Sequence, residues 1–396
     1  MKKYVLSILI IILLASCSKI QSVTNVRKDD MFTLSIGNMD EELDFFSRDG
    51  IAFSLKSDIF MKDGFFYIAN GNGKKIMKFN SFGNLLKKIS PARQSETAPK
   101  DDSSWSFNEP GNIAVSKDFT FIEDTVEYNL SFRDEYIDTT KDTTKDATDY
   151  ESHILNNKIV SIFNENGDYI NYIGQEGLGG KPFPFINNIF TDIKDRLIVI
   201  TQTTFFWTVY RYTQTGEFID SFEINLENNL PSLENSENTI TQIDSIIPDR
   251  VNDRILVELT FYRKVLNENT GDIVSINQIK SRVYYYDLKT RSYISWMEIP
   301  KKNDYNGQNV LLDIVNGKYL YFISLGKDGL SQFLTITNEN GYPIGEYNLN
   351  TDSANIIYSS FYVTPIDGIV TALLCTKYAG GISMWRTDKI LEEDSK

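Results

Sequence analysis

The sequence contains a single histidine, His153, and this limits the chemistry that the chain can perform. Ser-His-Asp triads, Cys-His dyads and histidine-rich zinc or iron sites all need an imidazole where the functional groups converge. His153 directly follows a long polar segment, which indicates an exposed position in a loop. We therefore assign no catalytic residue and expect no histidine-dependent catalysis.

Two acidic segments carry oxygen atoms that could bind a hard cation such as calcium. In the segment 134–152, which is nearly all Asp, Thr, Lys and Glu, the candidate ligands are Asp138, Asp142, Asp146 and Asp149. Lys141 and Lys145 oppose cation binding, and EF-hand spacing is absent, so we interpret this segment as a disordered surface insertion. The segment 164–168 resembles a fragment of a calcium loop, but its hydrophobic flanks favour a hairpin. We expect neither a metal nor a cofactor.

A glycine-rich stretch at 174–180 could cradle a phosphate group only if a helix followed it. Pro182 and Pro184 forbid that helix, so the stretch is not interpreted as a nucleotide site.

Aromatic residues are the one enriched class with a plausible role in binding. They cluster at Trp105-Ser106-Phe107, Phe205-Phe206-Trp207 and Tyr284-Tyr285-Tyr286. Because neighbouring residues of a strand point to opposite faces, we expect one ring of each cluster in the core and another at a groove or in solvent. Stacking on a sugar or an extended peptide and ordinary packing between blades are the two alternatives.

The first residues predict a lipoprotein signal peptide. Lys2 and Lys3 precede a short apolar run that is too short to span a membrane, and Leu14-Ala15-Ser16-Cys17 resembles the lipobox of bacterial lipoproteins. We expect cleavage after residue 16, lipidation of Cys17 and a flexible tether over 17–30. The acyl chains then anchor the protein to a membrane of the cell envelope. Ser18 is not the aspartate that retains lipoproteins at the inner membrane, which favours the outer membrane.

The composition excludes some partners and supports a large core. Of 396 residues, 41% are hydrophobic and 13% aromatic, which favours strands. The net charge is −14, and the sequence lacks a long Lys/Arg cluster, so nucleic acid is not an expected partner. The second cysteine, Cys375, lies in an apolar run without a partner thiol and is interpreted as a buried hydrophobic residue.

Short β-rich runs recur from Phe32 to the C-terminus with the same turn pattern. The clearest unit spans 59–89 and contains four strands and three turns. Its third turn, which carries glycine at the fourth position, recurs around Gly167, Gly216 and Gly341, whereas the related turn at 287–291 has Arg291 in that place. First halves of the unit recur at 113–122, 189–200, 246–259, 310–323 and 361–374. Six units of this size predict propeller blades.

The six units, the turn pattern and the lipobox resemble the six-bladed, NHL-like β-propeller lipoproteins of bacteria. The resemblance covers roughly 32–390 and implies an all-β, six-bladed propeller over 31–396, with the insertion at 134–152. It also implies that 174–180 is a connection between blades. Propellers close by pairing the two ends of the chain, so we expect the strand 32–36 to complete the sheet that contains 384–387.

The resemblance implies a scaffold for binding, and three functions stay open. The leading hypothesis is a non-enzymatic binding or assembly module for a protein or peptide partner in the cell envelope. The alternatives are an envelope carbohydrate lyase or hydrolase that uses carboxylates at the central channel, and a sensor or carrier of a small ligand. Converging Asp, Glu, Arg and Tyr side chains at the channel mouth would favour catalysis, whereas Ser, Asn and apolar side chains would favour binding.

Overall fold

The protein is a six-bladed β-propeller. The computed structural model describes residues 24–45, 56–90, 105–126, 157–226, 230–233, 238–267, 269–300, 309–326, 328, 331–351 and 353–394. Six sheets of four or five strands follow one another around a ring, and we number them as blades 1 to 6 in chain order. Their pairing is antiparallel, except that β1 pairs parallel with the last strand of blade 5. The predicted fold class and blade count are confirmed.

The first two strands, β1 (Thr24–Asn25) and β2 (Lys28–Ser35), join blades 5 and 6 at the other end of the chain. Blade 1 consists of β3 (Ser57–Lys62), β4 (Phe65–Asn70), β5 (Lys75–Phe79) and β6 (Leu85–Ile89). Blade 2 consists of β7 (Ile113–Val115), β8 (Phe119–Thr125), β9 (Lys158–Asn164), β10 (Tyr169–Gly174) and the short β11 (Gly177–Leu178). Blade 3 consists of β12 (Phe185–Thr191), β13 (Leu197–Gln202), β14 (Phe206–Tyr212) and β15 (Phe218–Asn225).

Blade 4 has the longest strands: β16 (Thr239–Asp249), β17 (Arg254–Leu266), β18 (Ile273–Asp287) and β19 (Ser292–Glu298). Blade 5 consists of β20 (Val310–Val315), β21 (Tyr319–Leu325), β22 (Gln332–Asn338) and β23 (Pro343–Asn348). Blade 6 consists of β24 (Ile356–Val363), β25 (Val370–Thr376) and β26 (Ala379–Trp385). A 3₁₀ turn at Ser353–Asn355 and the short helix α1 (Asp388–Asp394) complete the described elements.

The burial of each strand reflects its place in the blade. The second strand β13 is buried over Leu197 to Thr201, because blades on both sides cover its two faces. The outer strand β6 alternates between half-buried and exposed positions from Leu85 to Lys88, because only one of its faces meets a neighbour. Runs of β-branched and aromatic residues therefore mark inner strands, and alternating polar residues mark outer ones.

The N-terminal strand closes the ring, as predicted. β2 pairs antiparallel with β26 from Lys28↔Trp385 to Ser35↔Ala379 and is the fourth strand of blade 6. Trp385 is fully buried, and its Nε1 donates a 2.9 Å hydrogen bond to the Leu349 carbonyl at the end of blade 5. The pairing begins at Lys28, so the end of the predicted tether 17–30 belongs to the propeller. Closure therefore leaves no long sheet edge at the junction of the two chain ends.

The turn between the third and fourth strands requires glycine for two reasons. Gly83, Gly167, Gly216 and Gly341 have φ between 78° and 87°, a backbone conformation that side chains with a Cβ rarely adopt. Each also packs on the preceding blade: a Cβ at Gly216 would lie 2.8 Å from Leu178 Cδ2. In blade 4, Arg291 adopts φ 54° instead, and its guanidinium lies 5.3 Å from the Phe222 ring of blade 3.

Candidate functional site

The ring has two ends, which we name the turn face and the entrance face. The turn face carries the turns that follow the first and third strands of each blade, such as 63–64 and 80–84 in blade 1. The entrance face is the opposite end, where each first strand begins. The blades share this orientation, because neighbouring turns touch: Asn316 N donates a 2.7 Å hydrogen bond to Pro365 O.

Arg250 closes the centre of the ring at the turn face. It follows β16 and is 2% exposed. Its guanidinium donates to Asp313 Oδ2 of blade 5 at 2.5 Å, to Val363 O of blade 6 at 2.6 Å and to Tyr362 Oη of blade 6 at 3.3 Å. It also lies 6.0 Å from the centre of the Phe190 ring of blade 3. Because these partners come from the first strands of three other blades, Arg250 joins four blades at one point.

Carboxylates near the centre bind the exposed edges of first strands. Asp58 of blade 1 accepts hydrogen bonds from Ile113 N of blade 2 at 3.1 Å and from Ser360 Oγ of blade 6 at 2.6 Å. Glu258 of blade 4 accepts one from Leu311 N of blade 5 at 3.3 Å. A first strand has no partner strand on its central side, so its buried N–H groups need side-chain acceptors. These carboxylates therefore join neighbouring blades.

Burial changes the protonation of Glu258 and of Asp124, which lies on the second strand of blade 2. Burial raises the pKa of Glu258 to about 7, and the nearby charge of Asp244 also raises it. The hydrogen bond from Ser245 Oγ opposes this shift. Burial also raises the pKa of Asp124 to about 6, although backbone N–H groups of Asn108 and Glu109 stabilise its charge. Both carboxyls titrate near neutral pH, a property that catalytic acids share with buried structural ones.

Arg, Asp and Tyr side chains thus converge at the channel, but inside the protein. Arg250 and Asp313 are 2% and 4% exposed, and both bind protein groups. A general acid or base must reach the substrate within hydrogen-bond distance, directly or through one water. Arg250 and Asp313 therefore form a buried structural network at the turn face, in which their polar groups bind other protein groups.

Ion pairs link blades 3 and 4 on the turn face. Asp253 accepts from Arg196 at 2.7 Å and from Arg211 at 3.2 Å, and Lys194 lies 3.5 Å away. The hydrogen bond from Arg196 lowers the pKa of the Asp253 carboxyl against its partial burial, and the charges of Arg196, Lys194 and Arg211 also lower it. Where blades 3 and 4 meet on the turn face, these charges neutralise one another.

On the entrance face, blades 3, 5 and 6 each expose apolar side chains, and the turn face exposes others, among them Phe82, Ile193, Tyr342 and Ile366. Three on the entrance face belong to the starts of first strands: Phe185, Val310 and Ile357, which are 54%, 48% and 65% exposed. Three more lie at or near the ends of second strands: Phe205, Leu325 and Tyr378. We name these six residues the entrance patch.

A cleft of about 220 Å³ separates blades 1 and 2 on the turn face. Lys78, Lys87 and Lys117 line it together with Tyr67 and Phe119. Lys78 Nζ lies 5.1 Å from the centre of the Tyr67 ring, and Lys87 Nζ donates a 2.5 Å hydrogen bond to Glu165 O. Asp118 and Glu165 also line the cleft, so three lysines outnumber two carboxylates there, and we name it the cationic cleft.

The aromatic clusters agree only partly with the prediction. Trp207 is buried and its neighbour Phe206 is half-buried, as expected for adjacent residues of a strand, whereas Phe205 precedes β14 and is about half exposed. Tyr284 and Tyr285, however, are both buried, so the expectation of one exposed ring was wrong for that pair. The reason is that the third strand of blade 4 is covered on both faces by other blades. Trp105 packs against Phe163 at a ring distance of 5.0 Å, which is ordinary packing.

The two ambiguous turn sequences are structural. Segment 164–168 is the hairpin between β9 and β10, in which Asp168 N donates to Asn164 Oδ1 at 2.9 Å. The stretch 174–180 connects blade 2 to blade 3, as predicted. The Tyr212 hydroxyl holds this connection, because its single proton is shared between the carbonyls of Gly174 and Gln175 at 2.9 and 3.0 Å.

Several predicted positions lie outside the described residues: Cys17, His153 and the insertion 134–152 with its four aspartates. Cys375 is described and fully buried as a free thiol, and burial raises its pKa to about 12, so it is an unreactive core residue. Within the described ranges, no group of three or more potential metal-binding side chains occurs. Over those same ranges, no helix has both the length and the apolar character needed to cross a membrane.

Sequence reasoning missed the central network of Arg250, Asp313, Tyr362 and Glu258. Their partners are distant in the chain: Arg250 and Tyr362 are 112 positions apart, and Glu258 and Leu311 are 53 apart. No local motif distinguishes them from other polar residues of the chain. Only the closed ring brings these residues together.

No protein-family model matches the chain, and a search of curated proteins found no significant match. Among solved structures, hydrazine synthase of Kuenenia stuttgartiensis matches with 10% identity and a TM-score of 0.40, over 83% of this chain and 94% of that one. A protein of unknown function from Dyadobacter fermentans matches with 10% identity and a TM-score of 0.41, over 91% and 99%. A Bacteroides fragilis protein described as exported matches with 11% identity and a TM-score of 0.41, over 93% and 96%. At these values the function has to be argued from the chain itself.

Proposed function

We propose that this protein is a membrane-tethered, non-enzymatic module that binds a protein or peptide partner in the cell envelope. The observation that supports this proposal is the entrance patch, in which three blades expose six large apolar side chains at one end of the ring. Partner binding would remove this surface from water, at about 25 cal/mol for each Å². Apolar and aromatic residues are typical of the centre of such interfaces.

The tether forms the second part of the proposal. Cys17 would carry the lipid, and the described chain begins at Thr24, only seven residues later. Seven extended residues span at most about 25 Å, so the anchor would hold the propeller close to the membrane surface. Ser18 favours the outer membrane. A module in this position would present its partner near the lipid surface.

The decisive experiment is quantitative capture from envelope extract with two matched pairs of substitutions. Phe185→Ser with Ile357→Ser changes the entrance patch, whereas Ile193→Ser with Ile366→Ser removes exposed apolar groups of similar size from the turn face. We expect the entrance pair to lose the captured partner and the turn-face pair to retain it. Equal capture by both pairs, with unchanged melting temperatures, would refute the proposal.

An envelope carbohydrate-active enzyme is the runner-up, because two carboxylates suffice for glycoside cleavage. Asp58 is the candidate to test, since it is only half-buried and lies on a first strand. Screening envelope polysaccharides with the wild type and with Asp58→Asn distinguishes the two functions. Turnover that Asp58→Asn abolishes without loss of folding would favour the enzyme.

The cationic cleft between blades 1 and 2 supports a second candidate function, namely binding of a small anionic ligand such as a uronate or a sulfated sugar. Tyr67 offers an aromatic face, and Lys78 and Lys117 offer positive charge. Calorimetric titration with glucuronate and with inorganic sulfate tests this function. Binding that Lys78→Gln abolishes would support it, and heat no greater than the dilution heat would exclude these ligands.

A further inference from the structure

Three lysines of the cationic cleft carry charges that no carboxylate of the described residues neutralises. Lys78 and Lys87 belong to the third and fourth strands of blade 1, and Lys117 belongs to the first turn of blade 2. Asp118 and Glu165 also line the cleft. Over the described ranges, however, no carboxylate oxygen, including theirs, lies within ion-pair distance of the three ammonium groups. The cleft therefore gathers positive charge from two blades.

Two lysines next to the cleft do have carboxylate partners. Lys88 directly follows Lys87 on β6, and because neighbouring residues of a strand point to opposite faces, its side chain points away from the cleft. Its Nζ lies 2.7 Å from Asp40 Oδ1. Lys62 Nζ, on the turn face of the same blade, lies 3.5 Å from Asp195 Oδ1. Ion pairing is therefore possible for lysines of blade 1, and those of the cleft lack it within the described part of the chain.

Lys78 and Lys87 also lie directly opposite each other in the pairing of β5 with β6. Like charges at opposed positions of neighbouring strands destabilise the pairing. The rings of Phe65 and Tyr67, whose centres lie 4.5 and 5.1 Å from Lys78 Nζ, stabilise one of the two ammonium groups. Lys87 Nζ donates to Glu165 O, but an ammonium group has three donors and can serve a further acceptor. An anion bound between the two lysines would remove their repulsion.

We propose that the cationic cleft binds a phosphomonoester of monosaccharide size. The proposal rests on the second candidate function above, binding of an anionic ligand in this cleft, and names the anionic group. A phosphomonoester carries a charge of about −1.5 to −2 at pH 7 and three acceptor oxygens, whereas a sulfate ester or a carboxylate carries a single charge. Two negative charges neutralise the opposed Lys78 and Lys87, and a third oxygen is available to Lys117 on the other wall of the cleft.

The rest of the lining limits the rest of the ligand. Asp118 and Glu165 reduce the net charge of the lining to +1, so a ligand with several anionic groups, such as a nucleoside triphosphate, would be repelled. The same carboxylates can accept hydrogen bonds from sugar hydroxyls. Tyr67 and Phe119 offer aromatic surface to a sugar ring. The volume of about 220 Å³ lies below the range of pockets that hold drug-sized ligands, which favours a single sugar.

The test is calorimetric titration with three glucose derivatives that differ only in the anionic group at carbon 6: glucose 6-phosphate, glucose 6-sulfate and glucuronate. At pH 8 we expect the phosphate to bind at least about tenfold more tightly than the other two. At pH 5.5 only about a quarter of the phosphate is doubly charged, so its affinity should fall about fourfold. Lysines stay protonated over this range, and the sulfate ester, whose charge is constant, reports any change in the protein itself.

Substitutions on both walls locate the site. Lys87→Gln in blade 1 and Lys117→Gln in blade 2 should each weaken binding of glucose 6-phosphate at least about tenfold. Lys88→Gln is the matched control, because it removes the adjacent charge on the other face of the strand and should leave the affinity unchanged. Glucose 6-phosphate that binds all three variants as it binds the wild type would overturn the proposal.

A free sugar phosphate and the headgroup of a phosphorylated glycolipid present the same anionic group. Sedimentation with vesicles that contain phosphatidic acid, a phosphomonoester, or phosphatidylglycerol, a diester, distinguishes the two sources in protein that carries Cys17→Ala and thus no lipid anchor. Binding to phosphatidic acid alone, lost in Lys87→Gln, would assign the group to a lipid. Equal affinity for the three glucose derivatives would overturn the phosphomonoester and leave the anionic-ligand function intact. No binding of any glucose derivative or vesicle would overturn both.

Discussion

The guanidinium of Arg250 in blade 4 contacts the Asp313 carboxylate in blade 5 at 2.5 Å, and both side chains are almost completely buried. Two ions removed from water are each costly to bury, and they are tolerated here because each neutralises the other. The same guanidinium reaches Val363 O of blade 6. Arg250 therefore links blades 4, 5 and 6 and stabilises the closed ring.

Removal of Arg250 should destabilise the fold strongly. Arg250→Met leaves the Asp313 carboxylate buried without its cation, and we expect a loss of about 3–5 kcal/mol in the free energy of unfolding. The double variant Arg250→Met with Asp313→Leu should recover much of that loss. Urea denaturation followed by circular dichroism measures both values. Arg27→Met is the control, since its ion pair with Asp29 is exposed and should contribute less than about 1 kcal/mol. A double variant no more stable than Arg250→Met would contradict this account.

Glu258 should make stability depend on pH. Its pKa is raised from 4.5 to about 7, so the folded protein holds a proton that the unfolded chain has released in this interval. The stabilisation from this proton is present below pH 4.5 and is lost as pH rises through about 7. Glu258→Gln keeps the oxygen that accepts from Ser245 and Leu311 but cannot ionise.

The measurement is urea denaturation of the wild type and Glu258→Gln at several values between pH 4.5 and 8. We expect the wild type to lose about 3 kcal/mol more than the variant over this interval, the value set by the pKa shift. Parallel pH profiles for the two proteins would show that Glu258 has an ordinary pKa in the fold.

Gly216 should tolerate a side chain less well than Gly64. Both have positive φ, 87° and 76°, but a Cβ at Gly216 would lie 2.8 Å from Leu178 whereas a Cβ at Gly64 would meet nothing within 4 Å. Gly64→Ala therefore measures the backbone cost alone, about 1–2 kcal/mol. We expect Gly216→Ala to cost at least about 1 kcal/mol more, by thermal denaturation. Equal costs would mean that the blade contact adjusts freely.

Cys17 should be the site of lipid attachment. Cys17→Ala removes the only thiol in the lipobox-like sequence, so we expect the variant to be soluble or to remain uncleaved. Partitioning between detergent and aqueous phases, with the mature size checked by mass spectrometry, measures this. A processed Cys17→Ala protein that still enters the detergent phase would place the anchor elsewhere.

The blades follow from the amino-acid sequence alone, because their information is local. Strand runs, glycine turns and the repeated unit predict six four-stranded sheets, and the pairing of Phe32 with Ile382 confirms the predicted closure. The positive φ of Gly167, Gly216 and Gly341 follows from the turn type alone. The turn of blade 4, which lacks this glycine, is also visible in the sequence, and Arg291 adopts φ 54° at that position.

The positions of charged contacts and of exposed apolar surface depend on the tertiary structure. Asp58 gives no sign in the sequence that it binds Ile113 and Ser360, which are 55 and 302 positions away. The alternation rule also failed for Tyr284 and Tyr285, because it assumes one covered face and a propeller blade has two. The entrance patch likewise exists only when blades 3, 5 and 6 share one ring. Local sequence sets each blade, whereas closure of the ring sets which side chains meet.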